Sequence, residues 1–480
     1  MLLILLCVPS FLLAQSPVGS YAPMAEDSVE RVLHINMDYA RFRAPQDLVH
    51  LEASVSIIRH ELTYIPADDG RFRAIFDVSL IAQQVNDTVA VHSWRNSNYV
   101  DSLSQITEGQ TLFSTGALQL GEGEYFITVK VKDHASGTIG EKRQKVTIIP
   151  FSDDTLELSN IQLAASITSG AAAGQFVKNN YKILPNPMAL YGTSLPMLYC
   201  YLEIYNLQFD SDDEAGDYSI QYSVETTDGK QMRSWPIKLK NKPGSSAVEV
   251  SGINIITLQS GTYYFVAEVE DEANGEKVKS KKKFFIYRKG EKIALQQQVA
   301  QTPAGSAGLD ADRYKISSEE DLDKEFAYVR YISTDKERDL WKKLNADGKR
   351  QFLIEFWAER DPSPNTPANE YKQQYLDLVA TANQLFKSTR EGWKTDRGRI
   401  LLTYGAPDDI ERNAFSQDTR AFHIWHYFEM QGGVQFIFVD IQGMGDFNLV
   451  HSTAYSELQD FDWQRWLVPG GMMFDDPTRY

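Results

Sequence analysis

Two cysteines in 480 residues cannot supply a disulfide framework, so buried apolar surface must hold the fold. Basic charge is also short. Lys and Arg number 48 against 65 Asp and Glu, a formal charge of −17. That balance argues against nucleic acid or an anionic membrane surface as the main partner. Beyond residue 13 no apolar run approaches the roughly 20 residues needed to span a bilayer. The HExxH zinc motif, the nucleophile elbow, the P-loop and the dinucleotide-binding glycine fingerprint are all missing. What is present is a globular balance, 42% hydrophobic and 24% charged, which excludes a mostly disordered protein. The length suits two to four domains.

The apolar run from Leu2 to Leu13, broken by Pro9 and Ser10, is too short for a membrane span and fits the core of a secretory signal peptide. Ala14 supplies a small residue near the cut. No Lys or Arg precedes the run, which a start codon set too far downstream accounts for. Residues 1–15 are therefore read as a signal peptide and the mature chain as exported, to the periplasm, the outer surface or the medium. Cys7 follows Ile4, Leu5 and Leu6, where a lipidation motif wants small residues, so no lipid anchor is expected. Cys200, in the strand-like stretch Leu198–Leu202, is expected to be a buried structural cysteine.

Two segments match without a gap at a constant offset of 138 residues. Gly123-Glu124-Tyr125-Phe126-Ile127 runs on to Asp133, Gly137 and Ile148. Gly261-Thr262-Tyr263-Tyr264-Phe265 runs on to Asp271, Gly275 and Ile286. Each copy reads as an alternating strand, a turn carrying Asp and Gly, and a second alternating strand, the pattern of a β-hairpin. Further alternating runs lie upstream, from Val49 to Ile58 and from Leu198 to Leu207. Residues 28–150 and 160–289 are accordingly expected to be two all-β sandwiches of immunoglobulin or fibronectin type. The basic cluster Lys277, Lys279, Lys281, Lys282, Lys283, Arg288 and Lys289 reads as a solvated strand face with Lys guarding an edge. The acidic segment Asp210–Asp217 reads as a solvated loop; Ala215 and Gln221 stand where a calcium loop needs Gly and Glu.

Residues 290–312 are rich in Gln, Ala and Gly and read as a flexible linker. The period then changes from two to three or four. Ser317 with Glu320, and Thr334 with Glu337, read as capping boxes. Leu322, Phe326 and Val329 fall on one helix face. Phe352, Leu353, Phe356 and Trp357 form a second stripe, ended by Pro362, Pro364 and Pro367. Thr366 and Pro367 suit the start of a further helix carrying Tyr371, Tyr375, Leu378, Ala382 and Leu385. Strands are expected at Arg399–Tyr404, Phe422–Tyr427, Val434–Asp440 and Phe447–His451. Helices followed by consecutive strands predict an α+β domain with an antiparallel sheet over residues 313–451, and an acidic, aromatic tail over 452–480. The tail is expected to pack back on the sheet.

The run Gly392-Trp393-Lys394-Thr395-Asp396-Arg397-Gly398-Arg399-Ile400 resembles the signature that names the GWxTD-domain family of exported bacterial proteins. More of that pattern follows: Phe356-Trp357 with Arg360-Asp361-Pro362, Asn369-Glu370, Ala382-Asn383, and Tyr404-Gly405 with Pro407-Asp408. Trp425 with Tyr427, and Asp440 ahead of Gly443 and Gly445-Asp446, complete it. The resemblance spans roughly residues 315–450. It implies β-rich domains upstream and no particular reaction.

The signature, Gly392, Trp393, Thr395, Asp396, Arg397, Gly398 and Arg399, is the candidate site, with a structural and a functional reading. Structurally, Gly392 closes the preceding helix, Trp393 locks helix to sheet, Thr395 and Asp396 satisfy backbone donors, and a buried Asp396–Arg pair fixes register. Functionally, Asp396, Arg397 and Arg399 clamp an anionic or sugar ligand. His423 and His426 point to opposite faces of a strand and cannot chelate together. Asp408, Asp409, Asp440 and Asp446 read as turn residues, though carboxylate pairs can also serve glycosidases. No catalytic residue, cofactor or metal ligand is assigned. The expectation is an exported cell-envelope protein, a non-catalytic binding or assembly component whose partners are other envelope proteins or glycans. The alternative is an envelope hydrolase of glycans or peptides working through Asp and Arg of the C-terminal domain. A concave wall formed by Asp396, Arg399 and Asp440 would favour the enzyme.

Overall fold

A computed structural model describes residues 32–85, 87–171, 174–209, 216–288, 314, 317–362, 369–416 and 419–469. The expected signal peptide with Cys7, the linker, most of the acidic loop, Pro364, Thr366, Pro367, Lys289 and the end of the tail lie outside these residues. The chain is mostly strand, in several antiparallel sheets, and among the described residues its α-helices lie in the C-terminal region. Among the described residues no helix is long and apolar enough to cross a membrane.

The first β-region comprises β1 (Ile35–Arg43), β2 (Val49–Ile58), β3 (Ile65–Pro66), β4 (Phe72–Gln84), β5 (Asp87–Val100), β6 (Thr111–Leu120), β7 (Gly123–Asp133) and β8 (Ile139–Ile148). Strands β1-β2-β6 form one sheet. Strands β3-β4-β7-β8, with β5 on β4, form the other. Alternation decides what is buried: Val49, Leu51, Ala53, Val55 and Ile57 on β2 face Ala74, Phe76, Val78, Leu80 and Ala82 on β4 across a shared core. The second region comprises β9 (Glu157–Leu158), β10 (Gln162–Ser169), β11 (Val177–Lys178), β12 (Tyr181–Pro185), β13 (Leu190–Tyr191), β14 (Met197–Tyr205), β15 (Asp217–Thr226), β16 (Gln231–Ser234), β17 (Lys238–Asn241), β18 (Ser246–Asn254), β19 (Gly261–Asp271) and β20 (Glu276–Ile286). Its two sheets meet over Leu198, Cys200, Leu202, Tyr222, Phe265 and Val269. Burial raises the Cys200 thiol to about 12, so it stays protonated and inert.

The same local devices recur in β7–β8 and β19–β20. Gly123 and Gly261 take φ of 151° and 154°, which suits glycine. The Tyr125 hydroxyl donates to the Gly121 carbonyl at 3.1 Å, and the Tyr263 hydroxyl to the Gln259 carbonyl at 3.1 Å. Buried Asp133 accepts from the Thr63 amide at 2.8 Å, and buried Asp271 from the Gln208 amide at 2.7 Å. Each pair of carboxylate bonds ties a hairpin end to the chain leaving an opposite strand.

The C-terminal region contains α1 (Glu319–Val329), α2 (Asp335–Trp341), α3 (Ala346–Glu359), α4 (Glu370–Phe386), α5 (Asp396–Tyr404), and strands β21 (Asp409–Asn413), β22 (Phe422–Tyr427), β23 (Val434–Val439) and β24 (Asn448–Ser452) in simple consecutive order. The first capping box uses Ser318 and Asp321, one residue on from the expected pair; the second uses Thr334 and Glu337. Helical Leu353, Phe356, Val379, Ile400 and Leu401 pack with Trp425, Tyr427, Phe436 and Phe438 from one sheet face. Ile424, Ile437, Val439 and Val450 on the other face are covered by Trp463, Trp466 and Leu467 of the tail. So the tail does pack back, and both faces of this sheet are buried.

One expected strand is a helix. Ile400, Leu402 and Tyr404 alternate, but a run this short does not distinguish the two periods. The ends decide it. Thr395 Oγ1 accepts from the Gly398 amide, Asp396 sits in the first turn, and the Gly405 amide closes on the Leu401 carbonyl at 2.9 Å. The basic cluster is corrected too. Lys277 and Lys279 pair within the sheet with Glu270 and Glu268, at 2.8 and 2.7 Å. Lys282 instead crosses to Asp38, and Lys283 to Glu411 at 2.9 Å, so part of the cluster joins regions rather than facing solvent.

Candidate functional site

The signature is a single turn of 3-10 helix, Gly392–Lys394, followed directly by α5. A Cβ on Gly392 would lie 1.9 Å from the Ala382 carbonyl oxygen of α4. A Cβ on Gly398 would lie 2.1 Å from the Gly392 carbonyl oxygen. Three backbone segments therefore stack at distances only glycine allows, which replaces the expected helix-closing role of Gly392. The buried Thr395 hydroxyl donates to that same Gly392 carbonyl at 2.7 Å while accepting from the Gly398 amide at 3.1 Å.

Trp393 is 3% exposed and belongs to the buried cluster shared by the helices and the sheet. Its ring meets Tyr328 edge-on at 5.2 Å and Tyr331 at 6.2 Å, so it fastens the turn to the end of α1. The buried Asp396–Arg pair is also corrected. Asp396 Oδ2 accepts from the Leu449 amide of β24 at 2.8 Å, and its other oxygen lies 3.8 Å from Arg390, with side chains 27% and 38% exposed. Arg390 Nε lies 3.4 Å from Asp446, which is 22% exposed. Arg397, 6% exposed, lies between the rings of Phe386 and Phe447, 4.8 and 4.2 Å from their centroids. It donates to the Gly445 carbonyl at 3.1 Å, and burial lowers its pKa to about 10. Arg399 makes a two-pronged bond to Glu457, both at 2.8 Å, and Tyr404 adds its hydroxyl at 2.9 Å. Burial opposes the Arg399 charge, but Glu457 more than offsets it and raises the pKa.

Of the other carboxylates, Asp440 closes its own turn, while Asp408 and Asp409 reach more distant chain. Asp440 accepts from the Met444 and Gly445 amides at 3.0 and 2.8 Å, and Asp408 from the Phe428 amide at 2.7 Å. Asp409 accepts from Thr262 of the second β-region. His423 and His426 do diverge. His423 stacks on Phe447 at 4.3 Å, and burial lowers its pKa to about 3. His426 is bonded to buried Glu411 at 2.7 Å, and Glu411 also receives Lys283. Burial alone would raise Glu411, but His426 and Lys283 bring it down to about 2. Among the described residues no group of three or more His, Cys, Asp or Glu is arranged to hold a metal ion.

Arg390, Glu457, Glu411 and Lys283 were not among the candidates. Arg390 and Asp446 are 56 residues apart, Arg399 and Glu457 58, and Lys283 and Glu411 128, so no local pattern marks these pairs. The Arg-Gly-Arg spacing of Arg397 and Arg399 signals only that one arginine points inward and the other outward once α5 is known to be a helix.

These features define a class: a β-rich chain whose helix-and-sheet C-terminal region is organised around a Gly-Trp-x-Thr-Asp turn. Residues 306–466 match the family model of the GWxTD domain, so the C-terminal region is a GWxTD domain. No curated protein matches the chain.

Proposed function

We propose that the chain is an exported cell-envelope protein in which two duplicated, immunoglobulin-like β-sandwiches present the GWxTD domain as a non-catalytic binding or assembly component. One observation carries the non-catalytic part. The charged groups of the signature and of the neighbouring turn are engaged inside the protein: Asp396 by a β24 amide, Arg397 by the Gly445 carbonyl, Arg399 by Glu457, and Asp440 by its own turn. A hydrolase would need such groups converging on one substrate atom. The sandwich reading is supported by paired sheets over a common core and by the matching Tyr125 and Tyr263 corners. Export is supported by the Leu2–Leu13 run. The GWxTD domain is braced against both β-regions, by Lys283–Glu411 and by Lys145–Asp462, which suits a load shared along the chain.

The test is affinity capture with the mature chain from native envelope, cross-linked and identified by mass spectrometry, beside assays for glycan and peptide hydrolysis. A stoichiometric envelope partner without turnover is the expected result. Turnover that Asp396→Asn abolishes without unfolding the protein would overturn the reading.

A further inference from the structure

Arg390 follows α4 and stands between two carboxylates. Its contacts to Asp446 and Asp396, 3.4 and 3.8 Å, are longer than good hydrogen bonds. Its own Nε and Asp446 Oδ1 are buried with no hydrogen-bond partner among the described residues, as are Ser388 Oγ two residues before it and Arg397 Nε seven after it. Such atoms are rare in native proteins, and the pair on Arg390 and Asp446, whose side chains meet at 3.4 Å, needs an explanation. Ser388 and Arg390 come from the segment after α4, Arg397 from the first turn of α5, and Asp446 from the loop between β23 and β24. Asp396, Arg390 and Asp446 stand as acceptor, donor and acceptor.

We propose that the row Asp396–Arg390–Asp446 binds a neutral polyhydroxyl ligand, a sugar residue offering two adjacent hydroxyls. This rests on the binding reading above and gives it a ligand class. The charges of Arg390, Arg397, Asp396 and Asp446 cancel, so an ionic ligand meets as much repulsion as attraction. A hydroxyl can accept from a guanidinium and donate to a carboxylate at once, and two neighbouring hydroxyls can span the row. Arg390 is tied by no short bond and is 38% exposed, so it can turn toward a ligand at the surface. Met444, 71% exposed on the same loop as Asp446, supplies an apolar flank for a sugar face. Its amide is fixed by Asp440, which holds the loop in place.

The full mature chain is titrated with chitotriose, cellotriose and maltotriose by calorimetry and saturation-transfer NMR. Saturable binding of at least one is expected, weakened tenfold or more by Arg390→Met and by Asp446→Asn. Asp77→Asn, in an exposed pair with Arg95 on the first β-region, leaves it unchanged. Should Arg390→Met fail to fold, Arg390→Lys serves in its place and is expected to weaken binding. No saturable binding of any of the three sugars, equal affinity in the variants, or tighter binding of acetate overturns the proposal. Loss of the sugar site with envelope capture intact refutes this inference alone. Release of reducing ends from a bound trisaccharide refutes the non-catalytic reading while the site stands.

Discussion

Gly398→Ala separates the packing account of the signature from a propensity account, because the two forecast opposite signs. Gly398 lies in the first turn of α5, where alanine is the better helix former by up to about 1 kcal/mol. If the glycine were incidental, the substitution would stabilise the protein. The structure opposes this. The new methyl would sit 2.1 Å from the Gly392 carbonyl oxygen and 2.8 Å from the Trp393 Cα, both backbone atoms that no rotamer change can move. Relief requires the turn to retreat by more than 1 Å. Overpacking of this kind costs about 1–3 kcal/mol. The same carbonyl accepts from the Thr395 hydroxyl and amide, at 2.7 and 3.1 Å, so its retreat weakens two hydrogen bonds at about 1 kcal/mol each. The balance is a net loss of about 2–4 kcal/mol, a large share of a domain's stability. Thermal unfolding of the full chain followed by tryptophan fluorescence is a suitable assay, because six of the eight tryptophans lie in the C-terminal region. An unchanged or raised midpoint for Gly398→Ala would refute the argument.

Three further outcomes are expected. Trp393→Ala should lower stability by about 3–5 kcal/mol, since the ring is buried against Tyr328 and Tyr331, whereas Asp396→Asn should lose under about 1 kcal/mol because its amide oxygen still accepts from Leu449; comparable losses in the two melting curves would contradict this. Lys283→Met should destabilise by about 1–3 kcal/mol, less than for a fully buried pair because Lys283 is partly exposed, and a double-mutant cycle with Glu411→Gln should show coupling; additivity within about 0.3 kcal/mol would sink the claim. Buried His451, whose pKa burial lowers to about 4, accepts from the Asp460 amide through Nδ1 and so is neutral when folded. Below pH 6.5 the unfolded chain gains a proton that the folded one refuses. Stability should be full above pH 6.5 and fall by up to about 1.4 kcal/mol per unit down to about pH 4; His451→Gln should flatten that slope, and an unaltered slope would count against the assignment.

Local rules were legible in the sequence because they act over a few residues. Alternation along Val49–Ile58 and Leu198–Tyr205 chose the core faces of the β-regions, and the Gly-x-Tyr and Asp-turn-Gly spacings marked hairpins whose bonds close within four residues. Thr334 and Glu337 announced a helix start for the same reason. The Gly-Trp-x-Thr-Asp run announced a GWxTD domain. Tertiary structure decided the rest. The Ile400–Tyr404 stretch satisfies both periods, and the Thr395 cap, the Gly405 closure and the close backbone approach of Gly398 to Gly392 decide for a helix. The partners of the signature were equally hidden. Arg399 finds Glu457 across 58 residues, and Lys283 finds Glu411 across 128. A charge in a sequence states only that it needs a partner or water; which one it receives depends on which surfaces the apolar cores bring together.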